Sequence, residues 1–351
     1  MEFMNFAFHC KSKPKEGTGK KIAIIGAGPA GLVAAGYLAC MGHEIDVYDK
    51  QPEPGGLMIF GIPETRIPIE RVRLGCEHLE EEFGVKFYTS TKVMFGERHD
   101  EGDELTKKTV NLKELMESYD VVLITTGTWR SRMPDIEGKN LDGVYTALDY
   151  LYRLKASKLG YLPKEHAPEV KGKRVAVIGG GYSAVDAVLE SKLWGAKDVY
   201  LLYRRTIYEA PAGIYEINQL KNKGVHWMEL VTPNRIIGEG HVKGIELLKC
   251  KLGEPDASGR RRPIPIEGSE FTLDMDIVIF ATGELSTPPF SEDVGIQTDK
   301  WGGIIVNENY MTSVEGVFAA GDVITGPSKI GKAVRSGLYA ARAIDIWLRS
   351  R

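Results

Sequence analysis

The chain has 351 residues, 43% of them hydrophobic and 26% charged, which is typical of a globular protein and sufficient for two domains. Its formal net charge of −3 excludes a general electrostatic attraction for nucleic acid or for an anionic membrane. No apolar run approaches the ~18 residues that cross a bilayer, and the segment from Met1 to Lys21 lacks the features of a secretory signal. We therefore expect a cytoplasmic protein that binds neither nucleic acid nor membranes.

The first nucleotide-binding pattern begins with an apolar strand predicted at Lys21–Ile25, and a glycine-rich turn then leads into a helix predicted at Leu32–Met41. In such a turn the first glycine permits the tight bend, the second lets the backbone approach a pyrophosphate, and the third packs helix against strand. The residues of this turn are Gly26, Gly28, Pro29, Ala30 and Gly31. The next predicted strand, Ile45–Tyr48, is followed by Asp49 and Lys50, roughly 20 residues past the turn, where an acid can bind ribose hydroxyls.

The same order of elements returns in the second half, with predicted strands at Arg174–Ile178 and Val199–Tyr203 around a helix at Val185–Trp194. The turn residues are Gly179, Gly180, Gly181, Tyr182, Ser183 and Ala184. Here the second strand ends at Arg204 and Arg205, and arginine makes bidentate, charge-assisted hydrogen bonds to a 2′-phosphate that an acid would repel. The two endings predict two dinucleotides, FAD at the first turn and NADPH at the second.

Together these motifs resemble the pyridine-nucleotide–disulfide-oxidoreductase-like flavoproteins. The resemblance is most specific to the small subunit of NADPH-dependent glutamate synthase and related flavin subunits, and it extends from about Lys20 to Arg349. It implies a flavin-contacting loop around Gly56, Leu57 and Arg66, and strand ends at Thr126-Gly127 (FAD) and Thr282-Gly283 (NADPH). It also implies a second FAD motif at Gly321 and Asp322, whose aspartate binds the ribityl chain. The final helix, predicted at about Gly331–Arg349 with Ala333, would direct its positive end at the flavin.

The predicted fold class is therefore α/β, with two Rossmann-like dinucleotide-binding domains. The NADPH domain, residues 146–284, is expected to be inserted into a discontinuous FAD domain made of residues 21–145 and 285–351. Residues 1–20 are expected to form an extension.

Hydride transfer from NADPH to FAD needs no protein nucleophile, so we predict no catalytic side chain and no metal site. None of the cysteines, Cys10, Cys40, Cys76 and Cys250, forms a Cys-x-x-Cys pair, and we expect isolated thiols. A redox dithiol is therefore not expected, nor is the cysteine-rich iron–sulfur domain that precedes this region in the glutamate synthase subunits.

The electrons are expected to pass to a separate acceptor or partner subunit, with ferredoxin and a glutamate synthase large subunit as candidates. Two alternatives remain, an authentic glutamate synthase small subunit and a non-catalytic FAD/NADPH-binding assembly module, and homo-oligomerisation is left open. Two charged segments are expected to be solvated, a loop at residues 97–108 and a hairpin tip at Arg260–Arg262. The hairpin tip is also a candidate surface for an acidic electron carrier.

Overall fold

A computed structural model describes residues 12, 14, 16–256 and 259–351. The chain forms two compact units, one made of its first 130 residues with residues 284–351 and the other of residues 131–283. The predicted α/β class and the insertion of one Rossmann-like unit into another are confirmed. The first junction lies earlier than the predicted residue 145, because the strand Val144–Thr146 pairs within the sheet of the inserted unit. Most of the predicted extension, residues 1–11, 13 and 15, lies outside the described residues.

The helices of the described residues are α1 Pro29–Cys40, α2 Leu57–Phe60, α3 Ile69–Glu81, α4 Leu112–Ser118, α5 Ala147–Lys158, α6 Tyr182–Leu193, α7 Ile214–Asn222, α8 Asp322–Thr325 and α9 Ile330–Arg349. The strands are β1 Lys21–Ile25, β2 Glu44–Tyr48, β3 Lys86–Tyr88, β4 Thr91–Met94, β5 Lys108–Asn111, β6 Val121–Ile124, β7 Arg130–Ser131, β8 Val144–Thr146, β9 Arg174–Ile178, β10 Asp198–Tyr203, β11 His226–Glu229, β12 Val231–Glu239, β13 His241–Pro255, β14 Arg261–Pro265, β15 Phe271–Asp274, β16 Ile277–Phe280, β17 Glu284–Leu285 and β18 Val317–Ala319.

The first unit is built on a parallel sheet with strand order β18-β6-β1-β2-β3. Strands β1 and β6 are apolar runs because helices or loops cover both faces of a parallel sheet. Helix α1 begins at Pro29, three residues before the predicted Leu32, since the glycine-rich turn itself supplies the first helical turn. Proline is favoured there because its fixed φ suits the helix and its missing N–H has no partner to lose.

The second unit contains a parallel sheet of order β11-β10-β9-β16-β8 and an antiparallel sheet formed by β12, β13, β14 and β15. Strand β9 lies between β10 and β16, so the carboxyl ends of all three strands meet at one edge, where the second glycine-rich turn begins. Apolar side chains of α5, α6, β9 and β10 form the core of this unit. The predicted hairpin is present and is formed by β13 and β14. Arg261 and Arg262 open strand β14 and are exposed as expected, whereas Arg260 just before them is half-buried.

The segment at residues 97–108 is only partly solvated, since the carboxylates of Asp100 and Asp103 are buried while Glu97 and Glu104 are exposed. Asp100 is 4% exposed, and Asp103 lies 2.8 Å from the Lys50 ammonium and also contacts Lys92. The composition of this segment predicted exposure to solvent. That prediction could not take account of Lys50 and Lys92, the cationic partners, because they come from the end of β2 and from β4. Compensating charges from distant segments allow acids to be buried.

Of the cysteines, Cys76 and Cys250 are free and buried. Cys40 is disulfide-bonded, so the expectation of an isolated thiol is wrong for this residue. Cys10 lies outside the described residues.

Candidate dinucleotide sites

Three glycines shape the first turn, and they do so for different reasons. Gly26 has φ of +105°, and a Cβ there would lie 2.5 Å from the Thr125 carbonyl oxygen. A Cβ on Gly31 would lie 2.0 Å from the Gly26 oxygen, so both glycines are required by the packing of the protein itself. Gly28 is different, because its φ is −76° and a Cβ would meet no protein atom within 4 Å. The open approach to its backbone fits a pyrophosphate held at the start of α1.

Asp49 is fixed beside this turn by two backbone amides. The Ala27 N–H donates to Oδ2 at 2.6 Å and the Gln51 N–H donates to Oδ1 at 2.8 Å. The side chain is 8% exposed, and burial raises the pKa of its carboxyl group while the two amides oppose that shift. Each carboxylate oxygen retains lone pairs that can accept a ribose hydroxyl.

A cleft of about 710 Å³ in the first unit brings most of the predicted FAD residues together. Predicted residues that line it are Gly26, Gly28, Pro29, Ala30, Asp49, Gly56, Leu57, Thr126, Gly127, Asp322 and Ala333. Met58 and Ile62 also line it and belong to the flavin-contacting loop that the resemblance implies, whereas sequence reasoning missed Thr125, Thr128, Trp129, Ser328 and Ile330. These come from separate segments with no shared local pattern, although Ser328 just before α9 could have been recognised as a polar residue at a helix start.

The carboxyl-terminal part of the cleft is organised by Asp322 and the start of α9. The Ser328 hydroxyl donates to Asp322 Oδ1 at 2.6 Å, and burial raises the pKa of this carboxyl group. Ile330 and Ala333, in the first turn of α9, line the cleft, so the positive end of that helix faces it. Gly337 lets α9 lie against α1, since a Cβ there would be 2.2 Å from the Ala30 oxygen.

Four predicted FAD residues lie outside this cleft. Gly31 and Gly321 support α1, and a Cβ on Gly321 would lie 2.9 Å from the Ala30 Cβ. Lys50 lines a second cleft of about 440 Å³ that shares Asp49 with the first. Its ammonium group lies 4.4 Å from the centre of the Trp129 ring, and burial lowers its pKa. Arg66 is exposed and lines neither cleft.

The second turn repeats the geometry of the first. Gly179 has a positive φ of +154° and a Cβ there would lie 2.5 Å from the Ala281 oxygen, as Gly26 is confined by Thr125. Gly181, at the position of Gly28, has φ of −95° and open space where a Cβ would be. Ala184 is fully buried in the position of the third glycine. This turn can therefore also hold a pyrophosphate.

The two arginines at the end of β10 have different environments. Arg204 is exposed, and its pKa is lowered by partial burial and then by the positive charges of Arg205 and Arg260. Arg205 is 3% exposed, and its guanidinium donates to Asp256 Oδ2 at 2.7 Å and to the Arg261 carbonyl oxygen at 2.6 Å. Of the two, Arg204 is the one that presents its charge at the surface.

The other predicted NADPH residues flank this turn and the return crossing. Tyr182 and Ser183 are the first residues of α6. The Thr282 hydroxyl donates to the Arg132 carbonyl oxygen, and the Gly283 oxygen accepts from the Arg132 N–H at 2.8 Å. These two residues therefore hold the two crossing segments together within the second unit.

In the part of the chain that the structure describes, no group of His, Cys, Asp and Glu side chains could hold a metal ion. Across those same residues, no helix combines the length and the apolar character needed to span a membrane.

Comparison with known proteins places these motifs in a family. The NADP(+)-dependent formate dehydrogenase subunit beta of Moorella thermoacetica is 37% identical over 336 residues, which are 95% of this chain and 44% of that protein. The glutamate synthase (NADPH) small chain of Escherichia coli (strain K12) is 35% identical over 340 residues, 94% of this chain and 69% of the relative. The chain spans about half the length of several curated relatives that it matches.

Among solved structures, Mycobacterium tuberculosis FprA in complex with NADPH has a TM-score of 0.75 at 21% identity, covering 95% of this chain and 85% of FprA. That superposition supports the fold. A family model for pyridine nucleotide-disulphide oxidoreductases matches residues 20–337. The chain belongs to the pyridine nucleotide-disulphide oxidoreductase family.

Proposed function

We propose that this oxidoreductase is an FAD-dependent NADPH dehydrogenase that passes its electrons to a separate acceptor. The first unit binds FAD and the second binds NADPH. One observation carries the assignment: two glycine turns of the same geometry are followed by opposite charges, Asp49 after β2 and Arg204 after β10. Opposite charges at equivalent positions select different ribose substituents.

Asp49 contributes a buried carboxylate whose two oxygens are already oriented by the Ala27 and Gln51 amides. Such a group accepts hydrogen bonds from the free hydroxyls of the FAD adenosine ribose and disfavours a 2′-phosphate by repulsion. Arg204 does the reverse at the second turn, where a guanidinium favours the phosphate of NADPH. The sorting of the two cofactors therefore depends on these two side chains.

Bound FAD would supply the two-electron chemistry, with hydride arriving from the nicotinamide. The protein's contribution is positional and electrostatic. The first turn of α9 lies at the cleft, so its unpaired amides stabilise negative charge on the ring system that the cleft would hold. Asp322, oriented by Ser328, would accept hydrogen bonds from the ribityl hydroxyls.

The acceptor is proposed to be another protein chain, working with this one in the cytoplasm. Several relatives are named as subunits, among them the formate dehydrogenase subunit beta and the glutamate synthase small chain. A ferredoxin, a glutamate synthase large subunit and self-association are the candidate arrangements. The glutamate synthase candidate is supported by 35% identity over 94% of this chain, although the formate dehydrogenase subunit beta matches it at 37% over 95%.

Anaerobic titration of the purified protein with NADPH and with NADH, followed through the flavin spectrum, tests the proposal. We expect FAD at about one per chain, full bleaching by one equivalent of NADPH, and much weaker reduction by NADH. A protein that stayed colourless after incubation with FAD would contradict the flavin assignment. Bound FAD that NADPH cannot reduce would instead support a non-catalytic assembly module.

The glutamate synthase candidate has its own measurement. The chain is co-expressed with a glutamate synthase large subunit, and glutamate formation from glutamine and 2-oxoglutarate is followed with NADPH as reductant. Formation that depends on this chain supports the candidate. NADPH-dependent dye reduction without glutamate formation points to a different acceptor.

A further inference from the structure

The β13–β14 hairpin is attached to the end of β10 by the side chain of Arg205. The Nε–H of this buried guanidinium donates to the Arg261 carbonyl oxygen at 2.6 Å, and an Nη2–H donates to Asp256 Oδ2 at 2.7 Å. The backbone adds to the attachment, because the Leu230 N–H donates to the Arg205 oxygen at 3.2 Å and the Leu230 oxygen accepts from the Cys250 N–H at 2.7 Å. The hairpin therefore has a fixed position beside the second dinucleotide turn.

The attachment also fixes the backbone of Arg260. The Asp256 N–H donates to the Arg260 carbonyl oxygen at 2.8 Å, so the carboxylate bound by Arg205 and the backbone of Arg260 belong to the same turn. The Arg261 guanidinium is directed back along the hairpin, where it donates to the Leu252 and Gly253 carbonyl oxygens at 3.0 and 3.2 Å. The backbone of Arg260 is therefore held in the turn that carries Asp256, next to the Arg205 guanidinium.

Arg260 is also electrostatically close to Arg204. Its positive charge, like that of Arg205, contributes to the lowered pKa of Arg204, and Asp256 makes a smaller contribution in the opposite direction. Asp256 Oδ2 accepts a charge-assisted hydrogen bond from Arg205. Like charges at short range are unfavourable by themselves, and a phosphate dianion between them removes the repulsion and accepts their hydrogen bonds.

We propose that Arg260 is a second 2′-phosphate ligand, which the hairpin brings to the dinucleotide site beside Arg204. Arg205 is then a positioning residue that acts through Asp256 and the Arg261 carbonyl group to hold Arg260 in place. This inference rests on the proposed function, since it extends the NADPH preference of the second unit to a segment more than 50 residues further along the chain. It also assigns different roles to Arg204 and Arg205, which sequence analysis assigned to the same role.

Steady-state dye reduction by the full-length, FAD-loaded protein tests the inference with NADPH and NADH as alternative reductants. Arg260→Gln is compared with Arg262→Gln, which removes the same charge from an exposed residue two positions further along, in β14. We expect Arg260→Gln to raise the KM for NADPH at least about tenfold, because a charge-assisted hydrogen bond contributes about that much to binding. The KM for NADH and both constants of Arg262→Gln should stay within about twofold of wild type. Inhibition by 2′-AMP should weaken in parallel, and inhibition by 5′-AMP should not.

Arg205→Lys tests the positioning role, because lysine keeps the charge but cannot make both hydrogen bonds of the guanidinium. We expect it to raise the KM for NADPH and to add nothing further when combined with Arg260→Gln. If Arg205 had a purely structural role, Arg205→Lys would instead lower the melting temperature and raise the KM for NADPH and for NADH by the same factor. Independent, multiplying effects of the two substitutions would overturn the coupling between Arg205 and Arg260.

The role of Arg260 would be overturned if Arg260→Gln and Arg262→Gln raised the KM for NADPH equally. It would also be overturned if Arg260→Gln changed the KM for NADPH and the KM for NADH by the same factor. Wild-type protein is measured first. Failure of NADPH to reduce its flavin would refute the proposed function, whereas normal wild-type reduction with an unaffected Arg260→Gln variant would refute only this inference.

Discussion

The substitution Gly28→Ala should weaken FAD binding while leaving the stability of the apoprotein nearly unchanged. The backbone of Gly28 has φ of −76°, which alanine adopts freely, and a Cβ would meet no protein atom within 4 Å. Two small effects on folding oppose each other, since alanine restricts the unfolded chain by about 0.4–1 kcal/mol but is a poorer helix N-cap than glycine. We therefore expect the free energy of unfolding of the apoprotein to change by less than about 1 kcal/mol.

The same methyl group would occupy the space through which a pyrophosphate reaches the backbone. Inserting a methyl group into a close-packed contact costs about 1–3 kcal/mol, which corresponds to about 5- to 150-fold weaker FAD binding. The assay is the dissociation constant for FAD, measured by quenching of flavin fluorescence as apoprotein is added. Urea unfolding of the same apoprotein supplies the stability.

Gly31→Ala is the matched control, because it adds the same methyl group in the same turn. Its Cβ would lie 2.0 Å from the Gly26 carbonyl oxygen, so helix α1 would have to shift. We expect Gly31→Ala to lower the stability of the apoprotein by at least about 1–3 kcal/mol. Wild-type affinity for FAD in Gly28→Ala, or equal destabilisation by the two substitutions, would show that this reading of the turn is wrong.

Arg204→Ala should raise the KM for NADPH at least about tenfold while leaving that for NADH nearly unchanged, and equal changes in dye-reduction assays would contradict its role. Glu190→Gln should lower stability by about 3–5 kcal/mol in urea unfolding, because it breaks the buried ion pair in which Glu190 Oε1 lies 3.4 Å from Lys155 Nζ. Burial lowers the pKa of His43 despite its 2.9 Å hydrogen bond to Asp345, so the unfolded state takes up this proton first as the pH falls below ~6.5. Stability should decline there by up to about 1.4 kcal/mol per pH unit, and His43→Gln should lack this component; identical pH profiles would exclude it.

The local elements of both turns were predictable because they depend on short-range patterns. Strands β1 and β9 have the predicted bounds, since an uninterrupted apolar run indicates a strand covered on both faces. The starts of α1 and α6 were placed three residues late in both cases, because the turn residues themselves adopt helical geometry. Asp49 was predicted to be a site residue from its distance to the first turn, and in the structure its carboxylate accepts a hydrogen bond from the Ala27 amide of that turn.

The sequence by itself determined the two nucleotide-binding turns, their order and the charge that follows each one, because all three depend on residues close together in the chain. Only the tertiary structure decided which charged side chains are available to a ligand. Arg204 and Arg205 are equivalent in sequence, yet Arg205 is buried because Asp256 and the Arg261 carbonyl group reach it from a hairpin about 50 residues away. A charged group is buried where a distant partner compensates it and stays exposed where none does, and pairing over that separation leaves no local pattern to read.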